Sequence, residues 1–346
     1  MMARDLTGGL EPSLDYPILE QSDVPGFGEN HAFWIFDDAG EFFLNFHLQN
    51  VSGLWGVWRE WGYLVSADGR ALVVQREGSA TGGKCVGAAS AVFCCEEPFV
   101  RWTGRFRGTA RDTTLPEIAA APLVDGPRAA LELRADAEMA LEPWVQGGIS
   151  AAAKKAMSGE AGRFIGGFRY EQLFRASVRA SVDRQAHEWS ATGLRTHRAG
   201  PRQMAAMIGH SWATAIFPGG RAFGLMRFPK PDGSVGFSEA WIFRNGERLE
   251  AAIVESPWLD CLEPGGETFR LKLESRAGTT VIDGETAATV FVTQGAGDDL
   301  GYIRPGVHTT GALVLGQSMA RYRWDDEETY DLLERSAPLD KLRSSS

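Results

Sequence analysis

Apolar and polar residues alternate with a period of two along much of the chain, a pattern typical of β-strands that bury one face. Helical periodicity is confined to two segments. Residues 151–159 end at Gly159, and residues 325–336 begin with acidic side chains that suit a helix N-terminus, so each predicts a helix. The clearest alternating segments, each of which predicts a strand, are residues 40–48, 99–108, 170–182, 267–275 and 286–294.

Turn signals separate many of these apolar runs. They are Asp68-Gly69, Pro218-Gly219-Gly220, Asp232-Gly233 and Asn245-Gly246. Asn-Gly and Asp-Gly favour the positive-φ turns that join antiparallel strands. Sheets built from such hairpins are meanders, so the pattern predicts an all-β fold of barrels or sandwiches rather than a doubly wound parallel sheet.

The two halves of the chain resemble each other. His31 aligns with His210 and Phe33 with Trp212, at an offset of 179 residues (31 to 210). The turn at Asp68 aligns with the turn at Asn245, at an offset of 177 residues. Such a repeat predicts two similar β domains in tandem, which we place at residues 1–155 and 156–346.

Residues 209–213, Gly-His-Ser-Trp-Ala, nearly match the Gly-x-Ser-x-Gly nucleophile elbow of serine hydrolases. An elbow requires a strand, a sharp turn and then a helix. Here the chain after Ser211 runs into a Pro-Gly-Gly turn, and the first half has Ala32 at the corresponding position. We therefore expect a strand serine, and a hydrolase using Ser211 with Asp283 and His308 is a distant alternative.

Composition excludes several classes of function. The net charge of −10 argues against a nucleic-acid partner, because such proteins usually carry a clustered basic face. The chain contains no run of eighteen apolar residues, so we expect no membrane span.

The four cysteines show neither zinc-site spacing nor the density of a disulfide scaffold, which favours a reduced, cytoplasmic setting without disulfides. Cys94 and Cys95 are interpreted as strand residues. The six histidines are scattered in sequence, so neither a metal site nor a cofactor is predicted. The oligomeric state is left open.

Residues 169–202, followed by the strand that contains Ser211, resemble the second half of a lipocalin-like superfamily. This superfamily includes the carotenoid 1,2-hydratases and, more distantly, certain pericyclic cyclases. The family pattern has Tyr-Glu-Gln on one strand and Arg-Asp-His-Ser-Trp-Gly-x-Arg on the next. Thr196, Arg198 and Ala199 stand where that pattern has aspartate, serine and tryptophan. The positions that match are Tyr170, Glu171, Gln172, Arg195, His197, Gly200 and Arg202.

The resemblance implies two lipocalin-like antiparallel β-barrels or half-barrels with few short helices. It also implies a cofactor-independent hydratase, dehydratase, cyclase or isomerase that acts on an apolar terpenoid, steroid or polyketide-like small molecule. A barrel of this kind can enclose one such molecule. The alternative is a protein that binds or carries such a lipid without chemistry. The absence of the aspartate found in the family pattern favours a carrier, whereas the presence of Glu171 and His197 favours an enzyme.

Acid-assisted hydration or ring closure needs a carboxyl or imidazolium that stays protonated in an apolar pocket. Glu171 is the candidate acid, with Tyr170 beside it as a hydrogen-bonding partner, and His197 is the candidate base or orienting group. Each has a structural alternative: an outward-facing strand glutamate, and a loop histidine that binds nothing. The structural alternative, favoured for any single aromatic residue, is an ordinary core position. The candidate substrate-binding residues are Gln172, Arg202, His210, Trp212, Trp241, His31 and Trp34.

Overall fold

The structure is a computed structural model of the chain. The residues that it describes are 5–18, 20, 22–51, 54–79, 82–123, 125–159, 162, 167–201, 207–230, 232–295, 303–310 and 313–343.

The first sheet contains an eight-stranded antiparallel barrel with the order β4-β3-β2-β1-β11-β10-β8-β7, closed by pairing of β4 with β7. Strands β6 and β5 continue from β7, and β9 pairs with β10. The strands of this sheet are β1 (Phe27–Asp37), β2 (Phe42–Val51), β3 (Leu54–Ser66), β4 (Arg70–Ser79), β5 (Cys85–Gly87), β6 (Ala91–Glu97), β7 (Arg101–Thr114), β8 (Arg128–Met139), β9 (Trp144–Val145), β10 (Phe168–Val182) and β11 (Gln185–Pro201).

The second sheet repeats this topology. Its order is β16-β15-β14-β13-β12-β20-β19-β17, and pairing of β16 with β17 closes a second antiparallel circuit of eight strands, to which β18 adds. The strands are β12 (His210–Ile216), β13 (Ala222–Pro229), β14 (Val235–Arg244), β15 (Glu247–Glu255), β16 (Thr268–Ser275), β17 (Gly278–Gln294), β18 (Ile303–Pro305), β19 (Leu313–Trp324) and β20 (Glu327–Ala337).

The helical content is small, as expected. The helix predicted over 151–159 is confirmed as α2 (Ala151–Met157), where the Ser150 side chain accepts a hydrogen bond from the backbone N–H of Ala153. A second helix, α1 (Leu115–Ala120), begins with a capping box formed by Thr114. Single 3-10 turns occupy Pro12–Asp15 and Leu339–Lys341. Within the described residues, no helix combines the length and apolarity needed to cross a membrane.

The helix predicted over 325–336 is wrong. Asp325 and Asp326 form the turn of a hairpin, and the following residues form β20, which lies between β12 and β19. Nearly every side chain of β20 is buried. A strand covered on both faces loses its period-two signal, and the acidic turn then resembles a helix start.

The sequence repeat corresponds to a repeat of barrel topology, but its residue alignment is out of register. His31 and Phe33 lie on the inner face of the first barrel, where Phe33 joins a core cluster built only from that barrel and its adjoining segments. Trp34 lies on the outer face of β1 and Trp212 on the outer face of β12, and both belong to a cluster shared by the two barrels. An odd shift between repeats exchanges the two faces of a strand, so His31 and His210 are not equivalent.

Three apolar clusters form the core: one inside each barrel and one between them. Strands β10 and β11 follow the domain boundary expected at residues 155/156, yet they pair within the first barrel. Residues on both sides of that boundary therefore contribute strands to the first sheet. The division into two domains stays a prediction.

The expectation of no disulfide is wrong. Cys85 and Cys94 lie opposite each other on β5 and β6 and form a disulfide. Cys94 and Cys95 are both strand residues, as expected, and Cys95 is a buried free thiol. Strand pairing brings Cys85 and Cys94 together across a hairpin, a proximity that cysteine counting does not detect.

Candidate functional site in the interbarrel cavity

Alternation along β10 separates the predicted trio Tyr170-Glu171-Gln172. Tyr170 and Gln172 point into the first barrel, where Tyr170 contacts Arg195, whereas Glu171 points toward the second barrel and contacts Trp212. Glu171 is therefore not oriented by its sequence neighbours.

Glu171 is buried at the contact between the barrels and accepts hydrogen bonds on both carboxylate oxygens. Gln146 donates to Oε1 at 2.7 Å, and the indole N–H of Trp212 donates to Oε2 at 2.9 Å. Arg169 Nη2 lies 2.9 Å from Oε1. Burial raises the pKa of Glu171 to about 7, although the charge of Arg169 and the hydrogen bonds from Trp212 and Gln146 oppose the rise. This carboxyl can therefore exchange a proton near neutral pH.

A cavity opens between the two barrels, and we call it the interbarrel cavity. The space in it that a water-sized sphere can enter is about 80 Å³, below the roughly 300–1,000 Å³ usual for small-molecule pockets, so a larger ligand requires side chains of the wall to move. Glu171 does not line it, but its partners Arg169 and Trp212 do. Residues of both barrels contribute side chains, among them Trp34, Trp61, Thr196, Met226, Phe228 and Leu315.

A hydrogen-bonded polar group forms part of the cavity wall. His210 Nε2 lies 2.8 Å from Glu334 Oε1, and His210 Nδ1 lies 2.6 Å from the hydroxyl of Ser336. Gln317 donates to the other oxygen of Glu334 and accepts at 3.0 Å from the hydroxyl of Tyr63, which belongs to the first barrel. Burial alone would raise the pKa of Glu334, but the hydrogen bonds and charge of His210, with Gln317, hold it below its usual value.

The candidate tryptophans occupy different surroundings. Trp34 and Trp212 meet edge to face, with ring centroids 5.0 Å apart, and both line the interbarrel cavity. Trp241 lies in the same core cluster but outside the cavity wall, where it packs on Trp144 and under the guanidinium of Arg248.

A second polar group lies inside the first barrel. Asp15, from the 3-10 turn Pro12–Asp15, is fully buried and pairs with Arg195, whose guanidinium also contacts the Tyr170 hydroxyl and Gln172. Burial alone would raise the pKa of Asp15, but the charge of Arg195 and a hydrogen bond from Tyr170 outweigh it and lower the pKa. The N-terminal segment is thereby anchored inside the barrel by a buried ion pair.

His31 and His197 lie directly opposite each other where β1 pairs with β11. Their rings stack at 4.1 Å, and both Nε2 atoms contact Glu29 Oε1, at 2.9 and 2.8 Å. Burial and the charge of His197 lower the pKa of His31 to about 4. Within the described residues, Glu29, His31 and His197 form a cluster of potential metal ligands, whose ligand atoms all lie within 4.8 Å of one another.

Ser211 lies on β12 with its side chain fully buried, and the chain continues into the β12–β13 hairpin. This is the strand serine expected from the sequence. The two residues expected to complete a hydrolase triad have other partners: His308 Nε2 contacts the carbonyl of Pro305, and Asp283 pairs with Arg270.

The structure thus divides the candidate residues between two places. Arg202 lies outside the described residues. Sequence reasoning missed Glu334, Gln317, Arg169 and Glu29; of these, Glu29 had a signal, since it precedes His31 by two positions and shares its strand face. The candidates at the interbarrel cavity or beside it are Glu171, His210, Trp212 and Trp34, and those inside the first barrel are Tyr170, Gln172, His197 and His31.

Two solved structures share this fold along nearly the whole chain. A protein assigned as AttH, from Nitrosomonas europaea, aligns with a TM-score of 0.53 and 11% identity over 90% of this chain and 92% of that one. CghA with Sch210972 aligns with a TM-score of 0.53 and 11% identity over 90% of this chain and 88% of that one. No family model matches the sequence, and no curated protein matches it either. The chain thus has a lipocalin-like fold of tandem barrels.

Proposed function

We propose that this protein is a cofactor-independent enzyme that binds an elongated, mainly apolar small molecule in the interbarrel cavity and promotes its ring closure. The observation that carries the proposal is the composition of the cavity wall. Eight apolar and nine polar side chains from the two barrels share the wall, and the N–H groups of Trp34, Trp61 and Arg169 can hydrogen-bond a ligand there. Apolar surface combined with convergent polar groups is the usual form of a small-molecule site.

The ligand of this proposal carries oxygen acceptors. The indole N–H groups of Trp34 and Trp61 and the Nε of Arg169 are buried and have no hydrogen-bond partner among the described residues. All three residues line the cavity. A buried donor without a partner costs roughly 1–3 kcal/mol, so carbonyl or hydroxyl oxygens on the ligand would gain affinity by meeting them. Polyketide-like substrates fit this requirement better than pure hydrocarbons.

Ring closure fits the site better than hydration of an alkene. Hydration begins with protonation of carbon and needs a strong acid in contact with the substrate. The carboxyl in the cavity wall, Glu334, has a lowered pKa and is therefore ionised. Hydrogen bonds from the Nε of Arg169 and the indole N–H of Trp61 to a substrate carbonyl would instead polarise it and lower the barrier to cyclisation.

Glu171 enters the proposal as a positioning residue. It holds Arg169 and Trp212, which both face the cavity, and it is separated from the cavity by them. The expectation that Glu171 itself delivers a proton stays a prediction, and substitution by glutamine tests it. CghA, which shares the fold, is known in a structure with the small molecule Sch210972, and this supports the small-molecule part of the proposal.

A carrier without chemistry is the second candidate. The observation that favours it is that both oxygens of Glu334 are engaged, one by His210 and the other by Gln317. A carboxylate held in this way can serve as a fixed wall element that orients a ligand and need not act on it.

The mass of the product distinguishes these functions. The purified protein is incubated with a linear polyene that carries a terminal 1,3-dicarbonyl group, and the mixture is separated and weighed by liquid chromatography and mass spectrometry. A product of unchanged mass and altered retention supports ring closure. A product heavier by one water supports hydration instead, and tight stoichiometric binding without product supports the carrier.

Two tryptophan variants connect the result to the cavity. Trp61→Phe removes an unpaired indole N–H from the wall, and we expect turnover to fall roughly 10²-fold, the usual effect of losing one such donor. Trp258→Phe is the matched control, because Trp258 is a partly exposed tryptophan outside the cavity wall. Equal activity of the Trp61→Phe variant and the wild type would contradict the proposal.

A further inference from the structure

The Glu29–His31–His197 group inside the first barrel has a chemistry that the proposed function does not use. Its three side chains are at most 4% exposed. They meet at the seam where β1 and β11, the first and last strands of the barrel, pair with each other. Two imidazole nitrogens converge on a single carboxylate oxygen, at 2.9 and 2.8 Å.

The hydrogen bonds around His197 leave a proton or a metal ion to be supplied between its Nε2 and Glu29. His197 Nδ1 lies 3.1 Å from the backbone carbonyl of Leu14, which can only accept, so Nδ1 carries a proton. The Tyr170 hydroxyl, 3.5 Å away, donates to Asp15 and does not change this assignment. In the neutral imidazole, Nε2 then presents a lone pair to the carboxylate of Glu29. Two acceptors at 2.8 Å need either a shared proton or a metal ion between them.

The corresponding seam of the second barrel has no such requirement. There His210 faces Glu334 through Nε2 and Ser336 through Nδ1. A hydroxyl can donate to Nδ1, so a neutral imidazole protonated at Nε2 satisfies both contacts. The difference between the seams is therefore a second histidine, and a carbonyl where the other seam has a hydroxyl.

We propose that Glu29, His31 and His197 bind one divalent transition-metal ion, with zinc best suited to this set of ligands. Zinc in proteins is bound by imidazole nitrogen and carboxylate oxygen. A metal-binding histidine usually donates its other N–H to a carbonyl, as His197 does to Leu14. The backbone N–H of Ile18 donates to both oxygens of Glu29 and fixes the carboxylate from the other side.

The role of this ion is structural. Leu14 and Ile18 belong to the N-terminal segment, whereas the three ligands join the first and last strands of the first barrel. A metal held there connects the barrel seam to that segment. Since the group is closed to solvent, the ion would enter while the chain folds.

The test measures metal content and stability, and it requires no substrate. The full chain without a histidine tag is unfolded in denaturant with a chelator, refolded with or without equimolar zinc chloride, and freed of unbound metal. Elemental analysis by mass spectrometry should find one zinc per chain. Thermal unfolding should occur at a higher temperature in the zinc-loaded protein. Refolding with cobalt(II) should give the visible absorption of a low-coordinate nitrogen and oxygen site.

The variants assign the ligands. His197→Ala and Glu29→Gln should each weaken zinc binding at least tenfold, whereas His210→Ala, the histidine of the other seam, should bind zinc like the wild type. If either ligand variant fails to fold, the cobalt spectrum and zinc content of the wild type still decide. Wild-type protein that refolds without zinc, retains none when it is supplied and shows no cobalt spectrum would overturn the proposal, and a proton would then occupy the group. Zinc binding that His197→Ala and Glu29→Gln leave unchanged would overturn it as well.

Discussion

The two barrels have the same strand order but bury their polar groups in different places. In the first barrel, the ion pair of Asp15 with Arg195 lies on the inner face, sealed by the N-terminal segment. In the second barrel, His210 and Glu334 lie on the outer face, beside the interbarrel cavity. The topology has been repeated, but these two polar pairs point in opposite directions. Because strand side chains alternate, a shift of one residue between repeats is enough to produce this difference.

The difference separates two kinds of buried charge. The polar groups inside the first barrel contact one another and the N-terminal segment, and none of them lines the cavity. His210 and Glu334 of the second barrel instead line the interbarrel cavity. The first set is therefore expected to affect stability, and the second set is expected to affect binding and turnover.

The largest effect should come from breaking the buried ion pair of the first barrel. Arg195→Met leaves the Asp15 carboxylate uncompensated in a site that is closed to water. Removal of one partner of such a pair costs about 3–5 kcal/mol in the free energy of unfolding. Urea denaturation followed by tryptophan fluorescence measures it.

The comparison is sharpened by Arg335→Met in the second barrel. Arg335 is equally buried, but the side chain of its partner Glu267 is 23% exposed, so water can solvate its carboxylate. We expect a loss of about 1–3 kcal/mol, the range for hydrogen bonds to a charged group. Equal losses for the two variants would show that enclosure of the carboxylate is not the deciding factor.

Much of the fold could be predicted because its signals are local. Alternation predicted the half-buried strands, and Asn-Gly and Asp-Gly predicted the hairpins that the structure contains. The prediction failed at β20, where burial on both faces removes the alternation. It also failed at the disulfide between Cys85 and Cys94, because strand pairing rather than cysteine spacing brings them together.

Less of the candidate site could be predicted, because it depends on register between distant strands. His31 and His197 meet only because β1 pairs with β11 in one particular register. Glu334 reaches His210 in the same way, through pairing of β12 with β20. Sequence patterns indicate which face of a strand is buried, but they do not indicate which barrel or cavity that face meets.

The second prediction concerns two glutamates near the cavity with opposite pKa shifts. The pKa of Glu171 is raised to about 7, so between about pH 4.5 and 7 the folded state holds a proton that the unfolded state has lost. Stability then falls as pH rises through this window, by at most about 3 kcal/mol at 1.36 kcal/mol per pKa unit. Glu171→Gln should reduce this decline, as measured by denaturation at pH 5 and pH 8, and the part that remains belongs to Asp331, whose pKa burial also raises to about 7.

Glu334→Gln is the control for that measurement. The lowered pKa of Glu334 stabilises the folded state above the ordinary glutamate pKa, and this contribution is lost as pH falls through the lowered value. The glutamine variant should therefore leave the slope between pH 5 and pH 8 unchanged. A flattened slope in Glu334→Gln, or an unchanged slope in Glu171→Gln, would show that the titration does not belong to Glu171.

The third prediction compares the tryptophans that meet edge to face at the cavity. The indole N–H of Trp212 donates to Glu171, whereas that of Trp34 has no partner among the described residues. Trp212→Phe should cost about 1.5–3 kcal/mol more than the loss of ring area alone, since the bond is to a titratable carboxyl. Trp34→Phe loses only ring area and relieves an unpaired donor. Parallel denaturation of the two variants measures the difference, and a larger loss for Trp34→Phe would contradict the assigned bonds.

The smallest effect should be the same in both barrels, because it depends on backbone conformation alone. Gly69 and Gly246 occupy corresponding hairpins, with φ of 83° and 80°, and a Cβ at either position would meet no atom within 4 Å. Alanine is strained at positive φ, so Gly69→Ala and Gly246→Ala should each lower the free energy of unfolding by about 1–2 kcal/mol. Gly56→Ala is the matched control, since that glycine also has open space but no positive φ, and it should be neutral or slightly stabilising. Thermal denaturation of the three variants tests this, and a loss at Gly246 far larger than at Gly69 would mean that the two hairpins are not equivalent parts of a repeated barrel.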